Sequence, residues 1–499
     1  MIARKSFLII LTRIIGALFS MVSLYFIAHC MGPTPLGIIG YANGLVGLFA
    51  SSLGFDTAHY KRISEGKDLG KCIVTYIEIK IFLACFLIFV IIGGIFTWKH
   101  FFGGQFASQA HELVIYTALA TTVFMAHLTP IMTATYGARK ETAKQQIPTI
   151  IGNVVRMPII VTVAITSLGV FFLAGAYLVA ELAIFSIALL MFREYPIDKP
   201  SKKYLKSYVA FALPAAIGEF ATMFTSGIDR VMIQYFYSYE EVGFYVAVFQ
   251  MIYFFMIIPR ATNLLLLPTI SEYHSKKDFL NIKRVVHKSE RYLTMLILPV
   301  LVLIFIFSDS IILIILGQNF LRSANILILL SLMIFFAVTV VPYSALIEGI
   351  NRPGVAGKLW FFMAIINIFL NLILIPRNLG TFKLFGLGAA GAALATLFSE
   401  IIISILFRIY AYKLAKITPY PRITLHLIAG ILTGTILYIV KDVIVYHPIY
   451  IIPFGFFGLG CYFGLLYLMR EFTKDDFCYL LDVISPKKLG GYIKEDIKK

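Results

Sequence analysis

The sequence predicts an all-α integral membrane protein of about fourteen transmembrane helices: two parallel six-helix repeats and two further C-terminal helices. Three observations carry that expectation. Only 14% of the residues are charged and 60% are hydrophobic, whereas an ordinary soluble domain is about 25% charged. Apolar runs long enough to cross a 30 Å hydrocarbon core, roughly 20 residues each, fill nearly the whole chain. The basic side chains gather in alternate connections between those runs.

In the first half the runs fall at about 6–31, 36–60, 72–97, 112–136, 148–167 and 170–192. In the second half they fall at 208–235, 243–270, 292–316, 325–347, 359–376 and 386–408, with two more at 423–440 and 449–469. They are too long and continuous for barrel strands of about ten alternating residues. The opening "MIARKSFLIILTR" has a basic start but no small-residue cleavage site after it, so it is expected to be the first span rather than a removed leader.

The net charge of +17 is explained by where the charges sit. With the N-terminus in the cytoplasm, roughly 33 of the 43 Lys and Arg residues fall on the inner side and about 5 in outer loops. This asymmetry predicts a multi-pass protein of the cell (inner or plasma) membrane with both termini cytoplasmic. It assigns the basic charge to topology and anionic lipid, not to nucleic acid. Cys30, Cys72, Cys85, Cys461 and Cys478 show no metal-like or paired spacing. No Walker lysine loop or soluble ATPase module is present, so energy would come from a gradient or the substrate.

An internal repeat organises the chain. Ile63-Ser64-Glu65 in "RISEGKD" returns as Ile270-Ser271-Glu272 in "TISEYHSKKD". Gly37 and Tyr41 correspond to Gly243 and Tyr245, Pro130 and Gly137 to Pro342 and Gly349, and "AGA" at 174–176 to "AGA" at 390–392. The separation drifts slowly, from roughly 204 to 216 residues, as small loop insertions would cause. Because each repeat has six spans, an even number, both enter the membrane in the same orientation. The expected divisions are an N-terminal bundle (1–195), a cytoplasmic linker (196–207), a C-terminal bundle (208–410), two added spans (423–470) and a basic cytoplasmic tail (471–499). Parallel repeats of this kind usually enclose a central site opened alternately to either side, which argues for transport.

Charges inside spans cost about 2.5 to 3.5 kcal/mol on insertion scales and normally face a cavity or a partner. The candidates for a substrate cavity are Arg13, Arg156, Glu219 and Arg260. The repeat offset carries Arg13 onto Glu219, giving the first helix of each half an opposite charge at matching depth. Asp229 and Arg230, neighbours that point roughly 100° apart on a helix, are candidates for a gate or ion coupling. Glu181 and Glu400 are candidates for proton carriage or helix packing. Glu78 and Lys80 are expected to snorkel to the cytoplasmic surface, and His59 and His127 to be packed.

The stretches "MGPTPLGIIGY", "FDTAHYKRISEGKD", "DRVMIQYF" with "EEVGFY", and "IEGINRPGVAGKLWFFMAIINIFLNLILIP" with "GLGAAGAALATLFSE" together resemble a family. It is the polysaccharide transporter branch, the O-antigen or lipid-linked oligosaccharide flippases, of the multidrug, oligosaccharidyl-lipid and polysaccharide flippase superfamily. The resemblance covers nearly the whole chain and implies the fold of the multidrug and toxic compound extrusion transporters. It also implies translocation of an undecaprenyl-diphosphate-linked oligosaccharide from the cytoplasmic to the outer leaflet by alternating access, with no catalytic residues. In that reading Arg13, Arg156 and Arg260 meet phosphate or acidic sugar, and Glu219 couples transport to H+ or Na+. No other cofactor is expected; partners would be the lipid-linked oligosaccharide, membrane lipids and a polysaccharide polymerase of the same pathway. The alternatives are a multidrug or organic-cation antiporter of the same fold, whose cavity should favour carboxylates and aromatics, and a membrane polysaccharide polymerase or ligase. The enzyme would need a larger outer loop than "WKHFFGGQFASQAHE".

Overall fold

A backbone in lipid finds no water to bond, so each apolar segment satisfies its own amide groups as a helix. The computed structural model, which describes residues 2–444 and 451–477, is accordingly all-helical apart from a two-residue hairpin, β1 (Asn378–Leu379) and β2 (Phe382–Lys383). The first half comprises α1 (Ile2–Met31), α2 (Pro33–Gly47), α3 (Phe55–Ser64), α4 (Leu69–Phe101), α5 (Gln109–Thr122), α6 (Thr129–Ala138), α7 (Thr142–Thr166) and α8 (Val170–Phe192). A π-helical turn, Val123–Leu128, joins α5 to α6. Then come α9 (Lys202–Phe236), α10 (Tyr239–Tyr253), α11 (Ile257–Ser275), α12 (Phe279–Ile315), α13 (Ala324–Gly349), α14 (Pro353–Leu374), α15 (Gly388–Ala415), α16 (Ile423–Ile444) and α17 (Ile451–Leu468).

Twelve helical stretches among the described residues are long and apolar enough to cross a membrane. The expected segments 36–60 and 208–235 are not among them. The first is interrupted, because Leu53 (φ +50) and Gly54 (φ +78) turn the chain between α2 and α3. The second lies on α9, where several side chains between 214 and 226 are outside the description. Cys478 and the expected tail beyond residue 477 also lie outside the described residues, while Cys30, Cys72, Cys85 and Cys461 are free thiols.

The Lys-Asp pairs that follow the two Ile-Ser-Glu motifs start helices. Asp68 caps α4 by accepting from Lys71 N at 3.0 Å, and Asp278 caps α12 by accepting from Asn281 N at 3.0 Å. A side-chain oxygen in this position satisfies one of the orphan amides of the first turn.

The chain folds as two compact units. One comprises residues 11–247 and 360–392, the other 1–10, 248–359 and 393–499. In the first, α3, α4, α6 and α9 meet at Ala58, Tyr76, Ile79, Leu83, Ala134, Tyr208 and Ala212. In the second, α12 bends at Phe307 (φ −120, ψ 23), and Phe307 packs with Leu437 of α16 and Phe454 of α17.

The paired glycines Gly37 and Gly243 face each other across α2 and α10 in the first unit. A Cβ on Gly37 would lie 1.6 Å from Tyr239 O, and one on Gly243 would lie 2.0 Å from Pro33 O. Both obstacles are backbone and cannot swing aside. Gly37→Ala and Gly243→Ala are each expected to destabilise the protein by about 1 to 3 kcal/mol, the usual cost of overpacking, whereas Gly175→Ala, with open space at its Cβ, should be neutral. Thermal unfolding of the three variants in detergent checks the contrast.

Candidate functional site

The break between α2 and α3 brings two hydroxyls to a membrane-depth carboxylate. Ser51 and Ser52 each donate to Glu219 Oε2 at 3.1 Å, and Ser51 Oγ also accepts from Leu53 N at 3.0 Å. Glu219 is half-buried on α9. Arg13 is exposed on α1 and has no hydrogen-bond or ion-pair partner among the described residues. The two charges that the repeat aligned are in the same unit, but no ion pair joins them.

Arg156, half-buried on α7, donates to Asn153 Oδ1 at 3.0 Å and lies 5.7 Å from the centre of the Tyr177 ring. Glu181 of α8 is buried and accepts from Thr129 Oγ1 at 2.8 Å. That bond ties α8 to the start of α6.

Lys80 is where the structure departs from the expectation of snorkelling. Its side chain is 0% exposed, and Nζ binds Asp56 Oδ1 at 2.6 Å and the Ala126 carbonyl at 2.9 Å. Tyr76 OH donates to the same Asp56 oxygen at 2.6 Å. His59, beside them, is stacked on Tyr76 with ring centres 3.9 Å apart and is bonded to Tyr208 OH and Thr135 Oγ1, both at 2.8 Å. An isolated depth count along α4 cannot reveal this, because the partner Asp56 comes from the broken second segment and the carbonyl from the π turn. Glu78, one face away, is exposed.

Asp229 forms a second buried polar centre. It is 4% exposed, and its carboxylate accepts from Tyr245 OH and from Asn371 Nδ2, both at 2.6 Å. Asn371 Nδ2 also reaches Asn367 Oδ1 at 3.1 Å, while Asn371 Oδ1 is buried without a hydrogen-bond partner among the described residues. The two asparagines, spaced i and i+4 in "INIFLN", share one face of α14, a signal that a search restricted to charged residues misses. The stem of Arg230 packs instead against Gly44 of α2. Among the described residues no group of three His, Cys, Asp or Glu could hold a metal ion. The side chains of Asp229, Asn367 and Asn371 form one buried hydrogen-bonded group that joins α9 to α14.

In the second unit, Arg260 is exposed; it donates to Tyr253 OH and lies 4.1 Å from that ring's centre. Glu400 is 4% exposed with no hydrogen-bond or ion-pair partner among the described residues. The strongest electrostatic cluster here has no signature along the sequence, because its members come from widely separated segments. Arg291 donates from Nε to Glu471 at 2.7 Å and from both terminal nitrogens to Asp476 at 2.9 and 2.8 Å. Glu471 also accepts from Tyr420 OH at 2.8 Å. Buried Glu290 accepts from Tyr343 OH at 2.5 Å, Tyr420 N at 2.8 Å and Arg408 at 3.0 Å. Burial by itself would push the carboxyls of Glu471 and Asp476 up, but the hydrogen bonds from Arg291, Tyr420, Tyr292 and Thr473 outweigh it and hold both below the usual carboxylate range.

The described residues make a helical, multi-pass membrane protein with polar centres buried between its helices. Residues 26–325 match the family model described as "Polysaccharide biosynthesis protein", and the chain belongs to that family. A curated relative in Haloferax volcanii, named "Probable low-salt glycan biosynthesis flippase Agl15", is 23% identical over 97% of this chain and 99% of its own length. Among solved structures, "Lipid II flippase MurJ, inward closed conformation" superposes with a TM-score of 0.76 at 12% identity, covering 94% of this chain and 99% of that one. A multidrug resistance MATE family transporter in its inward-facing conformation superposes with a TM-score of 0.66 at 15% identity, covering 80% and 96%. At these identities the likeness establishes the shared fold.

Proposed function

We propose that this protein is a flippase that moves a polyprenyl-diphosphate-linked oligosaccharide from the cytoplasmic to the outer leaflet by alternating access, coupled to an ion. The observation that carries the reading is Arg13: a guanidinium exposed on an apolar helix, with no partner among the described residues, calls for an anionic ligand such as a diphosphate. Arg156 and Arg260 add cations of the same kind, and the glycan flippase relative matched end to end supports the substrate class. In this reading the chain has fourteen spans with both termini cytoplasmic. Its bundles are 1–195 and 208–410, joined by 196–207, and 423–470 and 471–499 are accessory. Asp229 with Asn367 and Asn371 is the candidate ion site, and Glu181, Arg230 and Glu400 are helix-contact or gating groups.

The test is to delete the gene and follow lipid-linked oligosaccharide. Accumulation on the cytoplasmic leaflet is expected; unchanged sidedness with drug sensitivity would replace this reading with an antiporter. Arg13→Ala and Glu219→Gln should each impair translocation without loss of membrane insertion. Full activity of both would remove these residues from the substrate path.

A further inference from the structure

Lys80 is the side chain in the first unit whose burial demands explanation. An ammonium with 0% exposure in a membrane-crossing helix persists only with a counter-charge and satisfied hydrogens. Asp56 supplies the charge and Ala126 O one acceptor. An ammonium carries three donors, and its third N–H has no partner among the described residues. A second carboxylate, Glu219, also acts on Lys80 electrostatically. Lys80 thus pairs directly with Asp56 on α3, while Glu219 on α9 is bonded to Ser51 and Ser52 in the chain break at 48–54 that leads into α3.

The surroundings suit a change of partner. Asp56 is 37% exposed while Lys80 is 0% exposed, so the carboxylate is the member of the pair that opens to the outside of the fold. Glu219 is held by the hydroxyls of Ser51 and Ser52, and a hydroxyl can donate to a carboxylate or accept from a carboxylic acid. The carbonyl that Lys80 occupies belongs to the π turn 123–128, a form of helix found mostly at functional sites. In the same turn His127 is 1% exposed, with both ring nitrogens lacking a hydrogen-bond partner among the described residues. The titratable groups facing the pair are His59 and Tyr60 from α3, Tyr76 from α4, His127 from the π turn, and Tyr208 and Glu219 from α9.

We propose that Asp56, Lys80 and Glu219 form a proton-binding switch that couples transport to a pH gradient. Asp56 takes up one proton from water, forming the O–H bond of a carboxylic acid, while Lys80 keeps its charge and transfers its ion pair to Glu219. Glu219 then releases Ser51 and Ser52, which changes how the break between α2 and α3 is held. Loss of the proton from Asp56 reverses each step. This site is distinct from the Asp229 centre and rests on the flippase reading for what it drives.

The experiment uses the full-length protein in proteoliposomes, with a fluorescently labelled polyprenyl-diphosphate disaccharide as probe and an imposed pH gradient. Wild type is expected to respond to the gradient. Asp56→Asn and Lys80→Met should lose the gradient response while keeping gradient-free equilibration. The double variant Asp56→Asn with Lys80→Met, which buries no charge, should fold as stably as wild type and also lack the response, and Glu78→Gln on the same helix should keep it. A gradient response retained in the single or double variants overturns the switch, as does a wild type that moves lipid indifferently to pH. Infrared difference spectra of the purified protein across a pH step need no substrate: a carboxylic acid band is expected in wild type and absent in Asp56→Asn, and the same band in both overturns the site. A wild type that moves no lipid refutes the flippase reading instead, and the proton site then stands or falls on that band alone.

Discussion

Arg291→Met should destabilise the protein by about 3 to 5 kcal/mol, the cost of leaving a buried ion-pair partner uncompensated. Glu471 is 1% exposed and Asp476 8% exposed, so neither carboxylate can recover its hydration when the guanidinium is removed. The loss also has a predictable pH dependence. Both acids have folded pKa values held below their unfolded ones, so the stabilisation is fully present above about pH 4, the unfolded carboxylate range, and is lost as pH falls toward the folded values. The melting-temperature gap between wild type and Arg291→Met should therefore be constant near neutrality and shrink below about pH 4. A gap that stayed constant into acid would show that the cluster contributes packing and not charge. The segment after α17 is attached by this cluster, so limited proteolysis beyond residue 470 should be faster in the variant.

Asp229→Ala should abolish translocation, and the swapped variant Asp229→Asn with Asn371→Asp should restore part of it. Removing the carboxylate strands Tyr245 OH and Asn371 Nδ2, each now 2.6 Å from it. Hydrogen bonds to a charged group contribute about 1.5 to 3 kcal/mol each, so losing even one weakens the site by about tenfold or more. The swap keeps one carboxylate and one amide at the same place between α9 and α14. The check is complementation of a deletion strain together with the ion dependence of lipid movement in vesicles. Equal failure of the swap and of Asp229→Ala would mean that the centre depends on which helix bears the charge.

Much of this organisation is legible along the chain. The helical class follows from apolar segments too long for strands, and the places where helices begin are written in local chemistry: Asp68 and Asp278 cap α4 and α12, as their position after a Lys and before an apolar run suggests. The intramembrane charges can be enumerated too, since each stands out against its neighbours. Their partners cannot. Lys80 reads as an interfacial lysine when only distance along α4 is considered, yet Asp56 and the Ala126 carbonyl, 24 and 46 residues away, make a buried site for it. Asn367 and Asn371 are neutral and do not stand out among polar residues until Asp229 is seen bonded to one of them. Arg291 looks, in sequence, like one more topology-setting base.

Composition, span length and charge asymmetry are sums over local sequence, and solvation by lipid acts on them segment by segment. They suffice to determine that this chain is a helical membrane protein and where most of its helices run. Whether a charge inside a span is exposed, paired or shared depends on which side chains from other helices come within about 3 Å, the reach of a hydrogen bond. That proximity is a property of packing, and only the tertiary structure decided that Arg13 stands without a partner among the described residues while Lys80 does not.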